Sequence, residues 1–170
     1  SDITRTFPVN GRYTPEQRAL YDLVLAAQTA AIDEVRPGRP FDAYHDAAVR
    51  TLTKGLIELG LLKGSLKSNL EEHSYRKFYM HKTGHWLGLD VHDVGDYRVD
   101  GEFRELETGM VVTVEPGIYI SPDMKGVPAR WRGIGIRIED DVVVTSGEPE
   151  VISSGVPKDA DEIEALMAAR

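Results

Sequence analysis

The sequence predicts an α+β fold in which helices come first and cover an antiparallel sheet. Between residues 14 and 59, apolar residues recur at three- and four-residue spacing, which is typical of amphipathic helices. After residue 79 glycines recur and apolar residues alternate with polar ones, which favours short strands joined by tight turns. Because the strands follow the helices instead of alternating with them, the order indicates α+β.

The composition fits one globular domain and excludes several chemistries. The 170 residues are 41% hydrophobic and 28% charged, and they include no cysteine, which excludes disulfides, thiolate catalysis and cysteine-ligated zinc. A net charge of −8 argues against nucleic acid or an anionic membrane as the partner. No apolar run approaches the length of a membrane span, and we expect a cytoplasmic location.

The first nine residues are predicted to be a strand. Ile3 and Phe7 alternate with polar residues, and Asn10–Gly11 is a turn signal that ends the segment. The strand starts in mid-course and has no initiator methionine. We therefore expect the chain to be a piece of a longer protein.

Two long helices are predicted next. Thr14, Pro15 and Gln17 form a capping box with proline at the first helical position, and Pro37–Gly38 ends that helix. The second helix is expected over residues 42–59. Both helices are interpreted as the cover of a sheet.

The rest of the chain is predicted to be mostly strand. Residues 64–74 are polar and are expected to be irregular, and residues 159–169 form a short amphipathic helix. The predicted strands are Leu87–Val91, Met110–Val114, Ile134–Ile138 and Val142–Val144.

Several acidic residues lie on strands that are otherwise apolar. Glu115 ends one strand, and Arg137 and Glu139 share one face of another whose other face is all isoleucine. Asp2 also lies on the polar face of an apolar strand. Each carboxylate alone could simply face solvent, but several that converge on one surface repel one another unless a cation holds them.

Histidines give a second signal. His81, His85 and His92 fall within twelve residues, whereas His45 and His73 are interpreted as surface residues. The cluster could be structural, with each ring bound to a backbone carbonyl. Combined with the carboxylates, however, an imidazole completes the ligand set expected for manganese, iron, cobalt or zinc in a hydrolytic site.

The acidic residues and the histidine cluster lie in four sequence blocks, which are residues 1–8, 81–93, 109–117 and 135–140. In content and order these blocks resemble the pita-bread metallopeptidases of family M24, and among them the Xaa-Pro aminopeptidases. One departure is Lys82, where relatives more often have a small residue.

The resemblance implies a site for two divalent metal ions, with Mn²⁺ expected first and Co²⁺ or Zn²⁺ as alternatives. Asp2 and Glu139 correspond to ligands that bridge both ions, and His85 and Glu115 to ligands of one ion. The family has one more aspartate ligand, upstream of Asp2, which this chain does not contain.

The resemblance also implies catalytic and substrate-binding roles. Glu115 would be the general base and then the general acid, for a hydroxide that bridges the two metals. His92 would donate a hydrogen bond to the oxyanion, and His81 would contact the residue after the scissile bond. Arg137 would orient a carboxylate or substrate group. Tyr119 and Trp86 would either wall the proline pocket or pack in the core.

As a whole, the resemblance implies that residues 1–170 are the C-terminal portion of a pita-bread catalytic domain, with a curved antiparallel sheet covered by helices. The expected partners are peptides with proline in second position, the N-terminal part of the same protein and further copies in a homo-oligomer. Three alternatives stay open: an Xaa-Pro dipeptidase, a non-catalytic peptide-binding module and a metal-free creatinase-like hydrolase. The retained ligands disfavour the last two.

Overall fold

A computed structural model describes residues 1–169 and confirms the α+β class. Thr14 caps the first helix: its hydroxyl accepts the N–H of Gln17, and the Gln17 side chain accepts the N–H of Thr14, so the predicted capping box forms. Asp159 caps the last helix by accepting the N–H groups of Asp161 and Glu162. The α-helices are α1 (Pro15–Ile32), α2 (Ala43–Glu58), α3 (Leu66–Glu71) and α4 (Ala160–Ala168).

The strands are short and pair in antiparallel ladders. The first ladder joins β1 (Arg98–Val99) to β2 (Glu102–Phe103). The second joins β3 (Val111–Val114) to β6 (Asp140–Val143), which also pairs with β7 (Glu150–Val151). The third joins β4 (Gly117–Tyr119) to β5 (Gly135–Arg137).

The second and third ladders follow one register, interrupted at Pro116. Val114 lies opposite Asp140, and Gly117 lies opposite Arg137. Continuing this register places Glu115 opposite Glu139. Because proline has no N–H to donate, the ladder is interrupted there.

Helix α1 buries its apolar face on these strands, as the spacing predicts, whereas α2 packs mainly against α1 and joins the strands only through shared apolar clusters. Leu20 and Val24 of α1 and Leu52 and Leu56 of α2 are fully buried. Two apolar clusters result. The strand residues of the larger cluster are Ile118 and Ile136, and those of the smaller cluster are Val112, Val114 and Val142.

The predicted N-terminal strand is wrong. Within residues 1–9 only Thr4 forms a β-bridge, with Glu139. Ile3 is 40% exposed and Phe7 is 57% exposed, so the alternation that suggested a strand does not mark a buried face. Side chains hold the segment instead; for example, the Thr6 hydroxyl donates to the carbonyl of Arg137.

Two other predictions need correction. Leu87–Val91 is not a strand: pairing stops after the Trp86–Val112 bridge, and Leu89 is fully exposed in a loop. Residues 64–74 are not wholly irregular, since the Ser65 hydroxyl accepts the N–H of Ser68 and starts α3. Helix α1 also ends at Ile32, before the predicted stop at Pro37–Gly38.

Across residues 1–169, none of the helices combines the length and apolar character needed to cross a lipid bilayer.

Candidate metal centre

Four separate segments bring three carboxylates and one imidazole together. The His85 Nε2 atom lies 3.4 Å from Asp2 Oδ2 and 3.7 Å from Glu115 Oε1. Potential ligand atoms of His85, Glu115 and Glu139 all lie within 4.8 Å of one another, and the same holds for Asp2, His85 and His92. The candidate ligands Asp2, His85, Glu115 and Glu139 therefore meet in one place.

The strand register explains why Glu115 and Glu139 face each other. Directly opposed residues of antiparallel strands have their Cβ atoms about 4.5–5.5 Å apart, and opposed like charges destabilise the pair. Glu139 is only 2% exposed, so water screens this repulsion poorly. Such a pair of carboxylates is best stabilised by a cation between them.

Two hydrogen bonds fix the position and orientation of His85. Its N–H donates to Thr113 Oγ1 at 3.1 Å, and its Nδ1–H donates to the carbonyl of Trp86 at 2.9 Å. A Cβ at Gly84 would lie 1.9 Å from the carbonyl oxygen of Thr113, so only glycine allows this segment to approach β3 so closely. His85 Nε2 is left buried, without a hydrogen-bond partner among the described residues.

Burial raises the pKa values of two of the carboxylates. The pKa of Glu139 rises from 4.5 to about 7, because burial and the nearby charges of Glu115 and Asp2 outweigh its hydrogen bond from Thr4. Burial also raises the pKa of Glu115, opposed by the charges of Arg137 and His85. Without a cation, the site therefore disfavours the full ionisation of its carboxylates.

This raised pKa predicts a pH effect on the metal-free protein. The contribution of Glu139 to folding stability is fully present below pH 4.5, and it is lost as the pH rises through about 7, because the folded state holds the proton more tightly. Relative to Glu139→Gln, the wild type should lose on the order of 3 kcal/mol of unfolding free energy between pH 4.5 and 7.5. Urea denaturation in the presence of a chelator measures the difference.

The comparison with Glu139→Gln is needed because His45 titrates with the opposite sign. Burial lowers the pKa of His45 from 6.5 to about 4, so its contribution to stability grows as the pH rises across that interval. His45 is present in both proteins and its contribution cancels in the difference. A difference between the two proteins that stays constant with pH would contradict the raised pKa of Glu139.

Three predicted substrate-binding residues form a hydrogen-bonded chain. The Arg137 Nε–H donates to the Tyr119 hydroxyl at 2.8 Å, and that hydroxyl lies 2.8 Å from His81 Nε2. The second ring nitrogen, His81 Nδ1, donates to the carbonyl of Lys82 at 2.7 Å, so Tyr119 is the donor to Nε2 when the ring is neutral. Burial lowers the pKa of His81, which favours that neutral state. Arg137 also lies 3.7 Å from Glu115 Oε2.

His92 and Trp86 differ in burial, although both are near His85 in the sequence. The His92 ring is exposed and stands edge-on to the His85 ring, with the ring centroids 4.1 Å apart. Trp86 is 8% exposed and packs on Phe41 at 4.6 Å between ring centroids. Trp86 was predicted either to wall the proline pocket or to pack in the core, and the structure supports core packing.

The interpretation of His45 as a surface residue is wrong. His45 is half-buried, and its Nδ1 atom lies 2.8 Å from the Thr83 hydroxyl, which also contacts the Tyr79 hydroxyl at 2.6 Å. The carbonyl of Thr83 accepts the N–H of Glu115. His73, in contrast, is exposed as predicted.

Sequence reasoning also missed the residues that hold the candidate ligands. Thr4 donates to the carboxylate of Glu139, and Thr113 accepts the N–H of His85. Threonine is so common in strands that neither position gave a signal. Asp140 and Asp141 did give one, since they are two consecutive acidic residues at the start of a valine-rich strand.

These residues fit divalent cations. A ligand histidine typically donates its other ring N–H to a carbonyl, as His85 does to Trp86. Its unpartnered Nε2 faces carboxylate oxygens, and one imidazole with several carboxylates suits manganese, cobalt or zinc.

The family model for metallopeptidase family M24 matches residues 1–146. The chain belongs to this family.

Its similarity to known proteins extends over nearly its whole length. It is 52% identical over 166 residues to the Xaa-Pro aminopeptidase of Haemophilus influenzae, which covers 98% of this chain and 38% of that protein. It is 51% identical over 168 residues to the Xaa-Pro aminopeptidase of Escherichia coli, which covers 99% and 38%. The chain therefore spans 38% of the length of each of these relatives.

Solved structures confirm the predicted pita-bread fold. The aminopeptidase PepP of Pseudomonas aeruginosa aligns with a TM-score of 0.98 and 61% identity, over 99% of this chain and 38% of that one. Proline aminopeptidase P II of Yersinia pestis aligns with a TM-score of 0.94 and 54% identity, over the same shares.

Proposed function

We propose that the protein containing this chain hydrolyses the peptide bond between an N-terminal residue and a following proline, at a centre of two divalent metal ions. The observation that carries the proposal is the meeting of Asp2, Glu115 and Glu139 around the unpartnered Nε2 of His85. The names of the relatives support the substrate class, since they are Xaa-Pro aminopeptidases.

In this proposal Asp2, His85, Glu115 and Glu139 would together hold the two ions. Mn²⁺ is the proposed metal, with Co²⁺ or Zn²⁺ able to replace it. A zinc-substituted aminopeptidase P from Escherichia coli has been solved with product, which supports this class of ion. Once bound, the ions would supply a hydroxide near neutral pH and polarise the carbonyl of the scissile bond.

Glu115 is the proposed proton carrier. Its carboxylate lies beside His85 Nε2 on one side and Arg137 on the other, at the centre of the candidate site. Burial raises its pKa toward the working pH, which suits a group that first accepts a proton from water and then gives one to the leaving nitrogen.

The proposed substrate contacts come from His92 and His81. His92 is exposed next to His85 and would donate a hydrogen bond to the developing oxyanion. Both ring nitrogens of His81 are engaged, by Tyr119 and by the carbonyl of Lys82. The ring carbons of His81 are then the atoms that can contact the apolar proline ring, and Arg137 holds Tyr119 in place for this.

Proline suits a site of this kind. The peptide bond before proline is a tertiary amide without an N–H, so an enzyme that requires that N–H rejects it. A site that recognises the shape of the proline ring and the free amino terminus of the peptide can accept this bond.

The experiment combines metal analysis with three peptide substrates, in the whole protein that carries this chain. After dialysis against a chelator, the protein should be inactive. With Mn²⁺ restored, about two ions should bind per chain, and an Xaa-Pro-Yaa tripeptide should be cleaved while an Xaa-Ala-Yaa tripeptide is not. An Xaa-Pro dipeptide separates an aminopeptidase from a dipeptidase.

Each other outcome has a defined meaning. Cleavage of the dipeptide alone would replace the aminopeptidase proposal with a dipeptidase. Bound metal without cleavage of any of these peptides would favour a peptide-binding module, and cleavage without metal would overturn the metal mechanism.

A further inference from the structure

Two consecutive aspartates are buried directly after Glu139. Asp140 is 0% exposed and Asp141 is 2% exposed, at the start of β6. Neither takes part in the two candidate ligand groups. Burying a carboxylate is costly unless hydrogen bonds and charges compensate it, so both positions need a reason.

Four hydrogen bonds compensate the burial of the Asp140 carboxylate. Its Oδ1 accepts from Arg5 at 2.7 Å and from the Ser153 hydroxyl at 2.6 Å. Its Oδ2 accepts from Lys158 at 2.8 Å and from Gln28 at 2.9 Å. These four bonds use the full acceptor capacity of a carboxylate, and two of the donors are cationic.

Arg5 joins the segment that carries Asp2 to the strand that carries Glu139. Its NH1 group donates to the carbonyls of Thr4 and Glu139, and its NH2 group donates to Asp140 and to the carbonyl of Val156. Its Nε–H donates to the carbonyl of residue 157. All five N–H donors of the guanidinium are therefore used, and the two segments are locked side by side.

Asp141 holds Asp2 itself. Both of its carboxylate oxygens accept the backbone N–H of Asp2, at 3.1 and 3.2 Å. The N–H of Asp141 donates to Ser153 Oγ, the same hydroxyl that donates to Asp140. Among the described residues, the Asp141 carboxylate has no cationic partner, so its hydrogen bonds to Asp2 are the compensation the structure provides.

We infer that Asp141 is a positioning residue of the metal centre: it holds the backbone of Asp2 so that the Asp2 carboxylate faces His85 Nε2. The inference rests on the proposed metal centre. It assigns to Asp141 a role that acts through Asp2, without contact with metal or substrate.

The test compares two nearly isosteric variants in the whole protein. Asp141→Leu removes the acceptor, and since it also removes a buried carboxylate without a cation, the fold should survive. Asp141→Asn keeps one acceptor oxygen for the N–H of Asp2. Mn²⁺ affinity, measured by calorimetric titration of chelator-treated protein, should fall about 10- to 100-fold in Asp141→Leu, and Asp141→Asn should restore it to within a few fold.

Asn69→Leu is the matched control. Asn69 is 3% exposed in α3 and donates hydrogen bonds to the carbonyls of Lys63 and Ser65, so this change removes buried hydrogen bonds of a residue outside the candidate ligand groups. It should lower the melting temperature and leave the Mn²⁺ affinity unchanged.

The outcomes separate this inference from the proposed function. Wild-type protein that binds no Mn²⁺ overturns the metal centre and this inference with it. Wild type that binds Mn²⁺, with Asp141→Leu of equal affinity, overturns the inference alone. So does an Asp141→Asn variant as weak as Asp141→Leu, because charge rather than the hydrogen bond would then be responsible. If Asp141→Leu does not fold, Asp141→Ala is judged by the same criteria.

Discussion

Replacing Glu115 with glutamine is expected to lower kcat for an Xaa-Pro peptide by about 10³-fold, within the range typical of a lost general acid–base. Glutamine keeps the shape of the side chain, but its amide cannot accept the proton from the attacking water. Glu115 lies beside His85 Nε2 and Arg137, so the change removes a carboxylate from within the candidate ligand group. Steady-state kinetics at saturating Mn²⁺ measure the loss.

Glu150→Gln is the matched control for this prediction. Glu150 lies exposed on β7, so the same change of charge and shape should leave kcat unchanged. Near-normal turnover in Glu115→Gln would contradict the proposed role of Glu115, and equal losses in both variants would point to a general effect of charge.

The second large effect is expected on folding. Asp140→Ala should lower the free energy of unfolding by about 3 kcal/mol, near the lower end of the range for breaking a buried ion pair, because it leaves two partly buried cationic partners, Arg5 and Lys158, without their anion. The Arg5 side chain is 10% exposed, so water compensates the loss only in part. Urea denaturation in the presence of a chelator measures the change without a contribution from bound metal.

An exposed carboxylate provides the comparison. Asp22 pairs with Arg18 at 2.9 Å, but its side chain is 51% exposed, and exposed pairs contribute about 1 kcal/mol or less. Asp22→Ala should therefore have a small effect. If Asp140→Ala costs no more than Asp22→Ala, the buried network does not stabilise the fold.

The sequence predicts the helices well because their signals are local. The Thr14 capping box and the apolar spacing of α1 and α2 depend only on neighbours in the chain. The capping box and both helices are present in the structure. The end of α1 is less well predicted: the helix stops at Ile32, before any proline requires it. Helix ends depend on packing that the sequence pattern does not contain.

The strand predictions were wrong in two segments where apolar and polar residues alternate but the apolar residues are not buried. Ile3 and Phe7 alternate with polar residues, but both are exposed, and only Thr4 pairs through its backbone. Leu89 belongs to a similar pattern and lies in a loop. Alternation predicts a strand only when a sheet face is available to cover one side of it.

The candidate ligands were identified through the resemblance, whereas the residues that hydrogen-bond to these ligands were not. Nothing in the sequence tells that Asp141 accepts the N–H of Asp2, since the two are 139 positions apart. His45 was misjudged for the same reason, because its partner Thr83 comes from another segment. Such contacts follow from the register of strands, which composition and spacing do not determine.

The bridge between Thr4 and Glu139 has a consequence for how the chain folds. Their carbonyl and N–H groups meet across 135 positions, and closing so long a loop is slow and entropically costly. The helical hairpin of α1 and α2 can form from local contacts, whereas the four candidate ligands cannot meet until the chain has been synthesised beyond Glu139.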